Sequence, residues 1–373
     1  MKWAWKLGRY AGIDVYIHAT FLLLIGWIVL SHLAGGRGPD AAVEGVVFTL
    51  LLFACVLLHE YGHALMAGRF GIRTRDITLL PIGGVARLER MPEDPKQELW
   101  VALAGPAVNV VISLALFGWL VVRNAWEPLE SLSVAGGSMI ERLFVANVFL
   151  VVFNLIPAFP MDGGRVLRAL LASRMEYTRA TRIAAGVGQG IALMFGLIGL
   201  FANPFLLFIA LFVWIGAAQE AGATQMKSSL AGIPVRRAMI TDFRAVAPDD
   251  RLQHAVELVL RGSQQDFPVV EDGRVAGVLT RADLLAALAK HTEDEPVASV
   301  MRREFQAADP DDMLEMVLAR LQECECHTLP VLHNGALVGL ITADNLGEFL
   351  MVQAAVSRRP ASTGPGFLRR QAA

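Results

Sequence analysis

Long apolar runs fill the first 220 residues, whereas beyond about Ala221 apolar and charged residues mix at the density of a soluble domain. That boundary reads as a change of solvent, from lipid to water. A helix needs about 20 apolar residues to cross the hydrocarbon core. Runs of that kind cover Val15–Ala34, Ala42–Ala67, Leu99–Val122 and Met139–Ile156. A fifth run, Ile183–Ala218, would reach roughly 54 Å as one helix, against about 30 Å of hydrocarbon. Asn203-Pro204 divides it into two short spans, which makes six in all. Between spans 2 and 3 the period changes. Ile72, Ile77, Leu79 and Ile82 alternate loosely with polar residues, and Gly83-Gly84 follows. This predicts a β-hairpin or re-entrant loop at the membrane surface, whose edge can accept an extended peptide. Residues 1–14 combine Lys2, Lys6 and Arg9 with Trp3, Trp5 and Tyr10. They read as an interfacial lead-in, too polar for the apolar region of a signal peptide.

The second half is an internal repeat. Residues 235–291 and 296–352 match at a fixed offset of 62. Phe267-Pro268-Val269-Val270 answers Leu329-Pro330-Val331-Leu332, and Gly277-Val278-Leu279-Thr280 answers Gly339-Leu340-Ile341-Thr342. Each unit reads helix, strand, turn (Asp272-Gly273 or Asn334-Gly335), strand, helix. One such unit buries little core alone, so the two are expected to pair. The predicted organisation is a membrane domain over 1–222, a linker over 223–234, the two repeats, and a disordered tail over 353–373. Within it, residues 292–295 form an acidic connector.

Composition narrows the function. The chain is 54% hydrophobic and 18% charged, with a net charge of −2. No basic stripe tracks phosphates, so nucleic acid is not an expected partner. Cys55, Cys324 and Cys326 are too few for a disulfide framework. Lys and Arg cluster before span 1, between spans 2 and 3 and between spans 4 and 5; the opposite loops hold little beyond Arg37, Arg123 and Arg142. By the positive-inside rule both termini are cytosolic.

The candidate chemistry sits at the cytosolic ends of two spans. His59-Glu60-Tyr61-Gly62-His63 closes span 2. On a helix the two histidines are one turn apart on one face, a spacing that suits two imidazoles on one Zn²⁺ with Glu60 as general base. Ionisable groups in such an apolar setting are expensive and mark a functional site. Asp162 follows span 4 in Asn154-Leu155-Ile156-Pro157-Ala158-Phe159-Pro160-Met161-Asp162-Gly163-Gly164, where prolines and glycines predict irregular backbone. A catalytic zinc wants three protein ligands and an open position, so Asp162 is the expected third ligand. Asn154 is the first candidate oxyanion donor and Asn109 the second; buried in span 3, Asn109 needs a partner and suits helix–helix contact as well. His18, near the start of span 1, reads as a hydrogen-bonded interfacial histidine rather than a ligand.

These motifs resemble the site-2 protease family of intramembrane zinc metalloproteases, over about residues 10–220. The subgroup with six spans and a C-terminal CBS pair has this arrangement. The resemblance implies that His59, His63 and Asp162 bind zinc, that Glu60 is the base and that Asn154 assists. Gly83 and Gly84 at the hairpin, and Asn109, are the candidate contacts to a membrane-protein substrate, and a prokaryotic cell membrane is the expected location. The repeats resemble a tandem CBS module. In that family an adenine nucleotide, ATP or AMP, contacts a Thr-x-x-Asp after the last strand. Thr280 and Asp283 match, whereas the second unit has Thr342 with Asn345. A homodimer through the CBS pair is implied as well. A CBS-gated metal transporter is the competing reading. It would expect symmetry between spans 1–3 and 4–6, which is not seen, and has no need of Glu60.

Overall fold

The structure, a computed structural model, describes residues 3–123, 137–290, 294–323 and 328–357. It divides into two compact units, Met1–Thr224 and Gln225–Ala373. Cys324, Cys326 and most of the expected tail lie outside the described residues.

The first unit opens with two strands where a lead-in was expected. β1 (Ala4–Tyr10) and β2 (Ile13–His18) form an antiparallel hairpin. Its turn, Ala11-Gly12, has φ of 50° and 82°, the left-handed pair that matches hairpin twist. β2 pairs in parallel with β3 (Thr74–Leu80), and β3 pairs antiparallel with β4 (Gly83–Leu88), giving a sheet ordered β1-β2-β3-β4. The predicted hairpin over 72–90 is therefore half of a four-stranded sheet. Ile13, Val15 and Ile77 are buried on it, so its two central strands are fixed by apolar burial as well as by the ladder. β2 takes residues that the apolar run had assigned to span 1, and α1 starts only at Thr20.

Helices α1 (Thr20–Ala34), α2 (Gly38–Arg69), α3 (Pro95–Val122), α4 (Met139–Asn154), α6 (Tyr177–Phe201) and α7 (Phe205–Leu230) correspond to the six apolar runs. Four of them, α2, α3, α6 and α7, are long and apolar enough to cross a membrane among the described residues. α1 has 15 residues and α4 has 16. At 1.5 Å per residue they reach only about 22–24 Å. α4 is bounded on both sides: Ser138 and Glu141 form a reciprocal capping box at its start, and Pro157 and Pro160 follow its end.

A short amphipathic helix, α5 (Asp162–Ala172), was not expected, because Gly163-Gly164 argued for irregular backbone. The glycines serve packing instead. A Cβ on Gly164 would lie 2.6 Å from the Phe159 nitrogen, so α5 can fold back against the Leu155–Met161 connector only without side chains there. α2 and α3 cross equally closely. A Cβ on Gly62 would meet the Ala104 carbonyl oxygen at 2.6 Å, the small-residue crossing expected of membrane helices.

α7 runs on to Leu230, so the expected linker over 223–234 is helical through most of its length. No proline interrupts Ala221–Leu230; Gly232, at φ 72°, and Pro234 end it. In the second unit each repeat is a helix, a two-stranded hairpin and a helix: α8 (Leu252–Arg261), β5 (Phe267–Glu271), β6 (Arg274–Leu279), α9 (Arg281–Leu288), then α10 (Leu314–Glu323), β7 (Thr328–His333), β8 (Ala336–Thr342) and α11 (Ala343–Ser357). Both hairpin turns take two left-handed residues, Asp272-Gly273 (47°, 76°) and Asn334-Gly335 (51°, 83°). α11 continues through 353–357, which had been assigned to the tail.

The repeats exchange their leading segments. Ile240 bridges to Leu340 and Pro234 to Met313; at the same offset of 62, Arg302 bridges to Val278 and Pro296 to Arg251. Leu230, Ile233 and Val235 pack in the core of the second repeat, and Val297 and Met301 in that of the first. Gly277 and Gly339 admit the crossing chain, since a Cβ there would meet Arg302 O at 2.7 Å or Ile240 O at 3.0 Å.

Candidate active site

His59, Glu60 and His63 lie on α2, two turns before its end, and Asp162 is the first residue of α5. The structure brings the two histidines and the aspartate together. Nε2 of His59 and Nε2 of His63 are 3.1 Å apart, and each is 3.2 Å from Oδ2 of Asp162. Among the described residues they are the one group of three or more such side chains arranged to hold a metal ion, and all three are buried.

The histidine orientations follow from their other nitrogens. Nδ1 of His63 donates to the Val101 carbonyl oxygen at 2.7 Å. That oxygen can only accept, so a neutral His63 carries its proton on Nδ1 and a lone pair on Nε2. For His59 the same result comes through a relay. Asn147 Nδ2 donates to the Leu143 carbonyl oxygen (2.8 Å), Asn109 Nδ2 donates to Asn147 Oδ1 (2.8 Å), and His59 Nδ1 donates to Asn109 Oδ1 (2.5 Å). The backbone carbonyl at the far end fixes the flip of both amides and hence the tautomer of His59. Two nitrogen lone pairs and a carboxylate oxygen then face one another at about 3 Å with no donor among them. Such a set repels itself unless a cation lies between. A His₂-carboxylate group of this kind suits zinc, so the residues fit the metal that their pattern implies.

Asn109 suited either a helix–helix contact or a group facing substrate or an oxyanion; the first is what the structure shows, since it is fully buried and both ends of its amide are engaged, with His59 of α2 and with Asn147 of α4. It orients His59. His18 also has a local partner, Thr20 Oγ1 at 2.8 Å from its Nδ1.

A cavity of about 430 Å³ opens onto the three residues. Glu60, Asn154 and Arg165 line it with them, and its wall includes the β4 backbone from Gly83 to Ala86. Glu60 Oε2 accepts from the Ala86 N–H at 3.2 Å, which ties the hairpin to the motif. A Cβ on Gly84 would lie 2.6 Å from Glu60 Cγ, so a side chain on this strand would push the Glu60 carboxylate out of its place. Gly105 of α3 does the same beneath the imidazoles: a Cβ there would stand 2.7 Å from His59 Nε2. Sequence reasoning missed Arg165, the Val101 carbonyl and the Asn147 relay. A signal for the last was available, since Asn109 and Asn147 are amides inside apolar runs and each needs a partner.

In the second unit Thr280 and Asp283 meet, and Thr280 Oγ1 donates to Asp283 Oδ2 at 2.6 Å. Arg302 also binds that carboxylate with two donors, at 2.6 and 3.1 Å. Burial opposes ionisation of Asp283, but these hydrogen bonds prevail and hold its carboxyl below the usual range. At the matching corner Thr342 Oγ1 accepts from the Asn345 N–H at 3.1 Å, and Asn345 Oδ1 is buried without a hydrogen-bond partner among the described residues. The residue that answers Arg302 at the offset of 62 is Ile240.

Residues 47–141 and 131–195 match the model of peptidase family M50, and residues 235–290 and 297–351 match the CBS domain. A zinc metalloprotease of Methanocaldococcus jannaschii is 30% identical over 347 residues, covering 93% of this chain and 96% of its own. Rip3 of Mycobacterium tuberculosis is 28% identical over 384 residues, covering 97% of each. A solved site-2 protease from Methanocaldococcus jannaschii is 37% identical and covers 59% of this chain and 95% of its own, with a TM-score of 0.44. The chain belongs to peptidase family M50, the site-2 proteases, and carries a CBS pair. It is a membrane metalloprotease.

Proposed function

We propose that the protein is a zinc endopeptidase that hydrolyses a peptide bond in or near a transmembrane segment of another membrane protein. The observation that carries this reading is the convergence of three acceptors from α2 and α5 beside a carboxylate in a cavity. His59, His63 and Asp162 hold the zinc. When bound, the ion supplies Lewis acidity toward water and the scissile carbonyl. Glu60 takes a proton from the attacking water and passes it to the leaving amine. Asn154 donates to the developing oxyanion. The β4 edge at Gly83 and Gly84 receives the substrate as an added strand, a geometry that presents its backbone beside Glu60. Six spans with both termini cytosolic place the site near the cytosolic face of a prokaryotic cell membrane, where water reaches it. ATP or AMP binding near Thr280, Asp283, Thr342 and Asn345 modulates cleavage, and a homodimer forms through the CBS pair.

The test is reconstitution of purified protein with a helical membrane substrate. Glu60→Gln should keep its zinc and lose cleavage by about 10²–10⁴-fold, the range for a general base. Undiminished cleavage by that variant, or metal flux across the vesicle without proteolysis, sinks the protease reading. Titration of the full chain with ATP and AMP tests the sensor; silence at millimolar concentration removes it.

A further inference from the structure

Arg168 of α5 is buried to within 1% of full occlusion in a membrane unit, and the chemistry above makes no use of it. Its guanidinium meets four elements at once. Nε donates to Glu98 Oε1 of α3 at 2.7 Å, and Nη1 donates to Glu220 Oε1 of α7. The ring of Phe159, from the connector, and that of Tyr177, from α6, each lie 5.0 Å from its central carbon. Glu98 is itself 2% exposed. A buried ion cluster adds little stability over apolar packing and is better attested as a device that fixes register.

Glu98 does not stand alone on α3. Glu98, Val101, Gly105 and Asn109 follow one another at spacings of three, four and four, which is a single face of a helix. That face supplies the carbonyl that orients His63, the gap beneath both imidazoles and the amide that orients His59. α3 thus holds the histidine half of the site by two hydrogen bonds and grips the helix bearing the aspartate by one charged pair. α5 has only 11 residues and would be marginal alone. Apolar contacts would let it turn or slide, whereas a planar fork held by two carboxylates and two rings does not. A metal ligand must be placed within about 0.5 Å, so this restraint matters most at Asp162.

We infer that Arg168 is a positioning residue: through Glu98 and Glu220 it sets the Asp162 carboxylate against the two imidazoles, with one face of α3 as the common template. The inference rests on the assignment of His59, His63 and Asp162 as ligands. The experiment measures zinc affinity by chelator competition, together with kcat and KM, for Arg168→Met, Arg168→Lys, Glu220→Gln and Asp162→Ala, each in the full chain. Arg168→Met should lose about 10–100-fold in zinc affinity, the usual effect of removing an outer-shell partner. kcat should fall with it and KM should hold. Arg168→Lys, which keeps the charge but not the fork, should fall between. In an Asp162→Ala background, Arg168→Met should cause no further loss of zinc affinity, because its effect runs through that carboxylate. Parental zinc affinity in Arg168→Met, or a second full loss in the double variant, overturns the inference. If Arg168→Met does not accumulate, Glu220→Gln decides, since its carboxylate is partly exposed: a loss of a few-fold in the same parameters supports the inference and none refutes it. Parental zinc binding by Asp162→Ala would instead refute the ligand assignment, a separate failure.

Discussion

Two of the polar clusters among the described residues, one in each unit, are chemically opposite. In the first, His59, His63 and Asp162 present only acceptors to one another, because every proton on the two rings is committed outward, to Val101 and Asn109. In the second, Thr280, Asp283 and Arg302 present donors to an acceptor and satisfy themselves. Both look like sites when read as residue names. Only the first needs a cation to exist as drawn; the second is complete, and a ligand there must compete with Arg302 or share Asp283 with it. Counting donors against acceptors separates a site that demands a partner from one that tolerates one.

The contrast can be broken most severely at Asp162. Asp162→Ala leaves two imidazoles and should abolish cleavage and release most of the metal, as read by zinc content after dialysis. Next comes Asn109→Ala, at a buried amide whose partners are His59 and Asn147. It should lower zinc affinity about 10–100-fold by freeing the tautomer of His59, with KM unchanged. A rise in KM alone would return Asn109 to the substrate.

The second cluster should respond to pH, and weakly. Asp283 has a depressed carboxyl pKa, so its contribution to stability is present above the ordinary carboxylate value and is lost as pH falls through its folded value. Protection of the α9 amides against hydrogen exchange should therefore decline below about pH 4 in the parent and less steeply in Arg302→Met. Identical pH profiles would mean that the pair is not formed. The smallest effects belong to the turns. Gly273→Ala and Gly335→Ala each place a side chain at positive φ and should cost about 1–2 kcal/mol apiece in thermal unfolding. Unequal costs would show that the two repeats are less alike than their backbones.

What the sequence disclosed was whatever depends on local spacing or on repetition. His59 and His63 are one helical turn apart in any apolar helix, and the offset of 62 is visible without structure. Asp162 was legible because a carboxylate beside prolines and glycines at membrane depth has few other uses. What stayed hidden depends on partners remote in sequence. Arg168 counted as one of several loop cations, since nothing local says that Glu98 and Glu220 lie 70 and 52 residues away in sequence but within reach. β1 and β2 were hidden by composition: tryptophans and lysines read as an interface that took in Ile13, and Val15 and Ile17 merged with the apolar run after them. Asn109 was seen as needing a partner, but the choice between a neighbouring helix and the active site is geometric.

The exchange of leading segments between the CBS repeats bears on how the module can be divided. Each repeat builds most of its own core but borrows from the other the piece of chain that completes it. A chain severed near residue 291 would keep Leu230, Ile233 and Val235 with no hollow to receive them, and would leave its remaining half gaping where Val297 and Met301 belong. Such a fragment could close only by lending its front to another molecule, so cutting the tandem in two should yield entangled pairs rather than a smaller working part.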